Sequence, residues 1–457
     1  MLQIKRLYNI MALALKKIEI CTKERDLERM RNFTDDHVTE LTERVKERFP
    51  DLFEKDTRNV AEIFELQLWE SPLGEDLELY LRETNHKEEL VFLVKALDSF
   101  LEDTVYGCMP VDQEQYWFQS LNDNYDECKI CLLPRLKCGW EHESRDAYTS
   151  YNMDYYLRNF YYLHKEDLQD YKAQHILMPR ELFREAVSRG ELRVMVSPVS
   201  GKEIIKVSKP YTRDNACYVS VDPMKKEDEK HLKENLDKIL ERGTAKQTDI
   251  LLLPEMLGTE EIAEGLGDVV YGGNGPCLTI CPSIWKEHRN FCRILDDTGE
   301  NICEQQKHYG VDLKRWSAKE DIESDRIIYI LHCDGIGRIA VAICKDFLIT
   351  KYLRILVEKL KVNLLLVPSF TKQDYQFEAL SSKYIDLDCN VIWVNACAAR
   401  WLEQSGEMQA SATLACLSGR HGVSRLKMGI NDLCQGNYEC KGTCGYIYQI
   451  KGKEVKG

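Results

Sequence analysis

Polar and apolar positions alternate with helical spacing through residues 1 to about 105. The segments HVTELTERVKERF and KEELVFLVKALDSFLEDTV each place apolar side chains on one helical face, which predicts amphipathic helices. Pro50 and the turn Ser71-Pro72-Leu73-Gly74 punctuate this pattern. Residues 106 to about 213 are less regular and rich in tyrosine. Residues 1–213 are therefore predicted to form a mainly α-helical domain.

One short segment of this region has two interpretations. Thr34-Asp35-Asp36 contains an aspartate pair of the kind found in polymerases. Here the pair opens an amphipathic helix, and such residues favour the helix N-terminus. The segment is therefore predicted to be a helix N-cap.

The pattern changes near Arg213. ACYVSVD (Ala216–Asp222) and DILLLPE (Asp249–Glu255) are typical of strands, and the amphipathic helix KKEDEKHLKENLDKILERG lies between them. This strand–helix–strand unit predicts parallel pairing with a right-handed crossover. Farther along, helices alternate with the buried-strand segments NLLLVPS and NVIWVNA, and GYIYQI predicts a closing strand. Residues 214–457 are thus predicted to form an α/β domain.

The segment GRIAVAICKDF (Gly337–Phe347) contains a candidate nucleophile. Its apolar run Ile339–Ile343 predicts a buried strand, and Cys344 stands where this strand gives way to a helix-compatible stretch. Open α/β sheets place their ligands at that edge. A buried structural cysteine is the alternative, because cysteine packs as a small hydrophobic residue.

A carboxylate and a lysine precede this cysteine in similar surroundings. Glu255 directly follows a strand that ends at Pro254. Lys307 lies in CEQQKHYGVDL, after a strand-like segment and the turn Asp296-Asp297-Thr298-Gly299. Taken alone, Glu255 could be a solvated strand-end acid and Lys307 a surface lysine. Their order with Cys344 favours a shared site.

In order and local context these residues resemble the nitrilase, or carbon–nitrogen hydrolase, superfamily. The resemblance extends from about Cys217 to Ile450 and is carried by these pieces: Pro254-Glu255, RNFCRILDDTGE, Lys307-His308, ICKD, NLLLVPSF and NVIWVNA. It implies a nitrilase-like α-β-β-α sandwich, a small-molecule amide substrate and a homodimer formed through the helices that follow the cysteine and lysine motifs. The helical region before it resembles no family that we identify.

The residue types suit cysteine-dependent hydrolysis. A thiolate is a strong nucleophile, and Glu255 can take the proton of Cys344 and later give it to the departing amine. Lys307 and the backbone N–H of Lys345 can offset the charge on the tetrahedral intermediate. Water activated by Glu255 then opens the thioester acyl-enzyme. The predicted reaction is hydrolysis of a non-peptide C–N bond without a cofactor. An amide is preferred over a nitrile, because most of the superfamily cleaves amides.

Two positions depart from the superfamily pattern. Lys345 stands where relatives usually carry an aromatic residue, so it could favour an anionic substrate or point to solvent. Many relatives also have a second glutamate between the lysine and the cysteine. Glu323 is our first choice for it and Glu320 the second, although the segment SAKEDIESDR is equally consistent with an exposed charged loop.

Composition and net charge limit the classes of binding partner that we expect. The chain has 457 residues, enough for two domains, and a formal net charge of −14, which argues against nucleic-acid and membrane binding. The opening segment MLQIKRLYNIMALALKKIEI predicts an amphipathic helix rather than a signal peptide. The 18 cysteines are scattered, which indicates reduced thiols and a cytoplasmic location.

Some of the cysteines could bind zinc. The first candidate set, of the form C-x2-C-x6-C-x3-H, is Cys128, Cys131, Cys138 and His142. The second set, in the tail, is Cys434, Cys440 and Cys444. Both sets lack a complete pair of tight ligand motifs, so free thiols are favoured and no metal is assigned.

A function of a different class stays open. The hydrolase-like domain could be an effector or scaffold subunit of a regulated bacterial defence or signalling assembly and act only beside a partner. The large N-terminal region, which could dock a protein partner, is the feature that favours this alternative.

Overall fold

The computed structural model describes most of the chain. The described residues are 2–53, 73–104, 129–135, 138–139, 153, 156–199, 205–272, 275–314, 317–372, 374–400, 413–419, 422–427 and 442–452. They divide into two compact units. The first unit comprises Met1–Lys137, His142–Gln169 and His175–Leu177, and the second comprises Cys138–Glu141, Asp170–Gln174 and Met178–Gly457.

The first unit is mainly helical, as the sequence predicts. Its helices are α1 (Leu2–Cys21), α2 (Glu24–Arg31), α3 (Asp35–Arg48), α4 (Leu73–Glu83) and α5 (Lys87–Phe100). Helix α1 packs against α4 and α5 through one apolar face. The buried side chains of that face, at helical spacing, are Leu7, Met11, Leu15 and Ile18. The first unit also contains a two-stranded antiparallel sheet, formed by β1 (Ile130–Pro134) and β2 (Phe160–His164).

The predicted N-cap at Thr34 is confirmed. Its side-chain oxygen accepts a hydrogen bond from the His37 N–H at 3.4 Å, and Asp35 and Asp36 occupy the first turn of α3. Acidic side chains there interact favourably with the unpaired N–H groups of the helix start.

The remaining strands form three sheets. They are β3 (Lys172–Leu177), β4 (Glu191–Val196), β5 (Tyr211–Arg213), β6 (Ala216–Val219), β7 (Ile250–Leu252), β8 (Leu278–Ile280), β9 (Ile284–Lys286), β10 (Arg289–Leu295), β11 (Asn301–Gln306), β12 (Asp312–Leu313), β13 (Ala318–Glu320), β14 (Ile327–Cys333), β15 (Gly337–Val341), β16 (Leu364–Ser369), β17 (Asn390–Asn395), β18 (Thr413–Gly419), β19 (Gly422–Lys427) and β20 (Tyr446–Lys451). One seven-stranded sheet has the order β11-β10-β8-β7-β4-β20, with β9 also paired to β10. The other has the order β19-β18-β17-β16-β15-β14-β3, and a four-stranded sheet has the order β12-β13-β6-β5.

The helices of the second unit lie on the two large sheets. They are α6 (Arg184–Arg189), α7 (Lys226–Ala245), α8 (Glu260–Tyr271), α9 (Thr350–Arg354) and α10 (Tyr375–Ser381). Leu236 of α7 and Leu266 of α8 share an apolar cluster with Leu251 of β7. Phe377 of α10 stacks on Trp393 of β17, with ring centroids 5.2 Å apart.

The parallel strands at the centre of each sheet are buried on both faces. The strands β7, β15 and β16 are buried along their whole length, so other apolar residues pack on both faces of the sheet at these strands. Because helices cover one face of each sheet, the other faces pack together in an α-β-β-α sandwich. The fold class expected for this half of the chain is confirmed, and so is the closing strand, β20.

Two predictions about this half differ from the structure. β6 and β7 are not parallel neighbours: β6 pairs with β13 and β5, whereas β7 pairs in parallel with β4 and β8. The domain boundary expected after residue 213 is also too late, because β4 is an interior strand of the first large sheet. Its segment, ELRVMV, lies within residues 1–213, for which the sequence predicts the helical domain.

Within the described residues, the structure contains no helix that is both long enough and apolar enough to cross a membrane.

Candidate active site

Glu255 lies just beyond the carboxyl end of β7 and is buried, with 1% of its surface exposed. One carboxylate oxygen, Oε1, accepts hydrogen bonds from Lys307 Nζ at 2.7 Å and Asn290 Nδ2 at 2.9 Å. The other, Oε2, accepts from the backbone N–H of Phe370 at 2.9 Å. Burial raises the pKa of Glu255, Lys307 opposes that change, and the charge of Glu320 adds to it.

Lys307 directly follows β11 and is fully buried. Its ammonium lies between two carboxylates, 2.7 Å from Glu255 Oε1 and 2.6 Å from Glu320 Oε2. Burial disfavours the charged form, but the two carboxylates outweigh it and raise the pKa of Lys307 well above its ordinary value. An ammonium has three N–H donors, so one donor is left for a third acceptor.

The second acid at this ammonium is Glu320, so our first choice, Glu323, was wrong. Glu323 is 68% exposed and pairs with Arg213 at 3.2 Å. Glu320 ends β13, in which buried and exposed residues alternate, and the parallel pairing of Glu320 with Val219 of β6 fixes that register. The many charges of this segment are typical of an exposed loop, and they conceal the strand whose alternation turns Glu320 inward.

Cys344 follows β15 and opens a short 3-10 helix, Cys344–Leu348. Its backbone has φ +48°, a left-handed conformation that costs a non-glycine residue energy and is often found at functional sites. The thiol and the Glu255 carboxylate interact, and each shifts the pKa of the other. Burial and the charge of Glu255 raise the pKa of the thiol well above its ordinary value, although Lys307 and the Phe370 N–H lower it. The thiol is therefore protonated at rest, and it interacts with a carboxylate that can accept the proton.

Lys345 does not supply the second cation in the site that we considered. Its Nζ donates to the Gly310 carbonyl at 2.7 Å and to Asp312 Oδ2 at 2.8 Å. The ammonium of Lys345 is thus neutralised by a carboxylate on the neighbouring segment. The pattern of the sequence could not identify this partner, because Asp312 lies 33 positions earlier in the chain.

Asn290, on β10, is a site residue that the sequence analysis did not single out. Its side-chain amide is fully buried and donates to Glu255 Oε1 at 2.9 Å and to Glu320 Oε1 at 3.2 Å. The Lys307 N–H also donates to the Asn290 carbonyl at 2.7 Å. One residue therefore holds both acids and the backbone of the lysine, and an asparagine inside a buried strand was the available signal.

Asp346 was also missed. Its buried carboxylate accepts from the His308 N–H at 3.0 Å and the Tyr309 N–H at 2.8 Å. It thereby ties the turn that begins at Cys344 to the residues directly after Lys307. Burial raises the pKa of Asp346 to about 8, opposed by these N–H groups and by Lys307.

The two zinc candidate sets fall partly outside the described residues. Cys128, His142, Cys434 and Cys440 are among the residues not described. Cys138 Sγ donates to the Ile336 carbonyl at 3.0 Å, and Cys131 and Cys444 are buried. In the part of the chain that the structure describes, no three histidine, cysteine or acidic side chains are grouped to hold a metal ion.

The assembled groups can move protons and hold charge. A thiol interacts with a buried carboxylate, a buried ammonium lies beside that carboxylate, and a second carboxylate holds the ammonium. A thiol next to a base is the arrangement for covalent catalysis, and a desolvated ammonium can offset a developing oxyanion.

Comparisons with known proteins find likenesses among solved structures. No family model matches the chain, and no curated protein matches it. A cysteine-to-alanine variant of the Nesterenkonia AN1 amidase from the nitrilase superfamily is similar over 57% of this chain and 90% of its own, with 12% identity and a TM-score of 0.40. An amidase from Nesterenkonia sp. is similar over 57% and 89%, with 12% identity and a TM-score of 0.39.

A third similar structure is a glutamate variant of the same amidase, with 12% identity over 57% of this chain and 91% of its own and a TM-score of 0.40. It shows covalent addition of the acetamide moiety of fluoroacetamide at the active site cysteine. The three structures named here are of amidases from one source, and the description of the first places that amidase in the nitrilase superfamily.

Proposed function

We propose that this protein hydrolyses the C–N bond of a small non-peptide amide through a thioester on Cys344. The observation that carries the proposal is the buried Lys307 ammonium between Glu255 and Glu320, with the Cys344 thiol interacting with Glu255. Stabilising two buried carboxylates and one ammonium in contact is costly unless the charges are paired, and here each charge has an opposite partner.

The acylation half-reaction uses one proton. Glu255 takes the proton of Cys344 as the sulfur attacks the substrate carbonyl, forming a C–S bond and an oxyanion. The third N–H donor of Lys307 and the backbone N–H of Lys345 stabilise that oxyanion. Glu255 then returns the proton to the nitrogen, the C–N bond breaks, and ammonia or an amine leaves.

Deacylation reverses the roles. Glu255 takes a proton from water, the hydroxide attacks the thioester, and the C–S bond breaks with the proton returned to the sulfur. Glu320 keeps Lys307 charged and in place throughout. A homodimer formed through the second unit and a protein partner for the first unit belong to this proposal as separate points, to be tested by sedimentation and by co-purification.

The substrate expected here is uncharged near the scissile bond. The site described above combines two carboxylates with one ammonium, and Lys345 is neutralised by Asp312. A substrate carboxylate beside Glu255 and Glu320 would meet like charge in a dry environment. Neutral amides are therefore favoured over anionic ones, the reverse of the preference considered from the sequence.

Ammonia release from a panel of neutral primary amides, each matched with an anionic analogue, tests the proposal. Cys344→Ala should abolish release. Cys344→Ser should lower kcat/KM at least about a hundredfold, because a carboxylate base deprotonates a hydroxyl poorly. Both variants should keep the thermal midpoint within about 3 °C of the wild type, since one small group changes.

Substantial turnover by Cys344→Ser would mean that another group is the nucleophile. Inertness of the isolated protein, with activity appearing beside a co-purified partner, would favour the alternative of a regulated assembly subunit.

A further inference from the structure

The segment between Lys307 and β12 is held from one side by two consecutive residues of the Cys344 turn. Asp346 accepts from the N–H groups of His308 and Tyr309, at 3.0 and 2.8 Å. Lys345 donates to the Gly310 carbonyl at 2.7 Å. The turn that carries the nucleophile is thus bonded to the segment that carries the ammonium.

Asp312 completes this set of contacts. Its carboxylate lies 2.8 Å from Lys345 Nζ, and the Lys345 side chain is 25% exposed while that of Asp312 is 59% exposed. The hydrogen bond from Lys345 lowers the pKa of Asp312, so the carboxylate is charged at neutral pH. The lysine thereby joins two points of the opposite segment, the carbonyl at 310 and the side chain at 312.

We propose that Lys345 and Asp312 form a clamp that positions Lys307 relative to Cys344, so that the lysine after the nucleophile is a positioning residue rather than a substrate-binding cation. The effect of the clamp on turnover rests on the proposed function, whereas the contacts that form the clamp do not depend on it. Fixing the Lys345 side chain also fixes the direction of the Lys345 N–H, the second donor assigned to the oxyanion. A small displacement of either donor weakens stabilisation of the transition state.

A further hydrogen bond connects this segment to Glu320. The Val311 N–H donates to Glu320 Oε2 at 3.0 Å, the same oxygen that accepts from Lys307. A shift of residues 310–312 therefore moves the N–H group that donates to Glu320. Loss of the clamp should therefore displace Lys307 in two ways, through the backbone that connects it to residues 310–312 and through its ion pair with Glu320.

A double-mutant cycle measures the clamp. Lys345→Met keeps most of the aliphatic stem and removes the ammonium, and Asp312→Asn keeps the shape and removes the charge. Lys345→Arg is the conservative rescue. Lys226→Met is the matched control, because Lys226 is an ion-paired lysine on the surface of α7, with Glu229 at 2.8 Å.

Each clamp variant should lower kcat about fivefold with little change in KM, as expected for loss of one partly exposed charged contact. The double variant should lose little more than either single variant, Lys345→Arg should recover most of the rate, and Lys226→Met should match the wild type. Asp312→Asn also frees the Lys345 cation, so the ratio of anionic to neutral amide turnover should rise. Additive losses, or no recovery with Lys345→Arg, would overturn the clamp.

Hydrogen exchange separates the clamp from the proposed reaction. Peptides spanning residues 308–312 should exchange faster in Lys345→Met and Asp312→Asn than in the wild type or Lys226→Met, whether or not the protein turns over an amide. Unchanged exchange in both variants would overturn the clamp itself. Faster exchange in a protein that releases no ammonia from any amide would support the clamp and count against the proposed hydrolysis.

Discussion

At the scale of single residues, the charges around Lys307 determine how the site responds to pH. The pKa of Glu255 is raised chiefly by burial, with Lys307 opposing and the charge of Glu320 adding to the rise. Glu255 must be ionised to accept the thiol proton. Activity should therefore be lost as pH falls through the raised pKa of Glu255. The acid limb of the kcat/KM profile should lie above the pH range of an ordinary carboxyl group.

Glu320→Gln should move that acid limb to lower pH. The substitution removes a negative charge that raises the pKa of Glu255, and it leaves Lys307 with Glu255 as its carboxylate partner. The rate at the optimum should fall about tenfold or more, because Lys307 loses a charge-assisted contact. The pH dependence of kcat/KM gives both values.

Glu323→Gln is the matched control, since it makes the same chemical change three positions away on an exposed side chain. Its profile should superimpose on that of the wild type. A shift of equal size in both variants would show that the position of Glu320 beside Lys307 is not what sets the limb.

At the scale of elements, the buried carboxyl group of Asp346 joins the 3-10 helix Cys344–Leu348 to the segment after β11. Burial raises the pKa of Asp346 to about 8, so the folded protein holds this proton up to a much higher pH than the unfolded chain does. A raised carboxyl pKa contributes stability that is fully present below the unfolded pKa, near 4, and lost as pH rises through the folded value.

Asp346→Asn should therefore flatten the dependence of stability on pH between about 4 and 8. The wild-type free energy of unfolding should decline more steeply with rising pH than that of the variant, by up to about 1.4 kcal/mol per pH unit. Urea unfolding at four pH values across this window measures the difference. Parallel curves for the two proteins would contradict the titration assigned to Asp346.

At the scale of the whole molecule, the chain divides into two compact units. Leu93 of α5 is fully buried in the first unit, and Leu366 of β16 is fully buried in the second. Truncating a buried leucine to alanine costs about 2–5 kcal/mol, because it removes apolar contacts and leaves a cavity.

Leu93→Ala should accelerate hydrogen exchange in α1, α4 and α5 while leaving the amides of β15, β16 and β17 near their wild-type rates. Leu366→Ala should do the converse, since units with their own cores open separately. Peptide-resolved exchange on the full chain measures both effects. Equal acceleration in both units from either variant would show one cooperative structure.

Local pattern was sufficient for the parts of this protein that depend on nearby residues. Apolar runs that end at Pro254 and Cys344 predict buried strands, and the residue at the end of a buried strand is placed at the sheet edge by the chain itself. The Thr34 cap and the parallel strands around Leu366 follow for the same reason. The sequence by itself therefore determined the fold class of each half and the position of Glu255 and Cys344 at the ends of buried strands.

Tertiary structure decided everything that depends on pairing between distant segments. Glu320 rather than Glu323 reaches Lys307 because β13 pairs with β6, about a hundred positions away, and that register sets which acid faces inward. The charge of Lys345 is neutralised by Asp312 for the same kind of reason. Periodicity records which face of a segment is buried, whereas the choice of its neighbour depends on the packing energy of the whole unit. The pairing of distant segments, and not the residue types, therefore determined which acid contacts Lys307. It also placed Lys345 beside Asp312, where we propose that it forms a clamp and does not bind substrate.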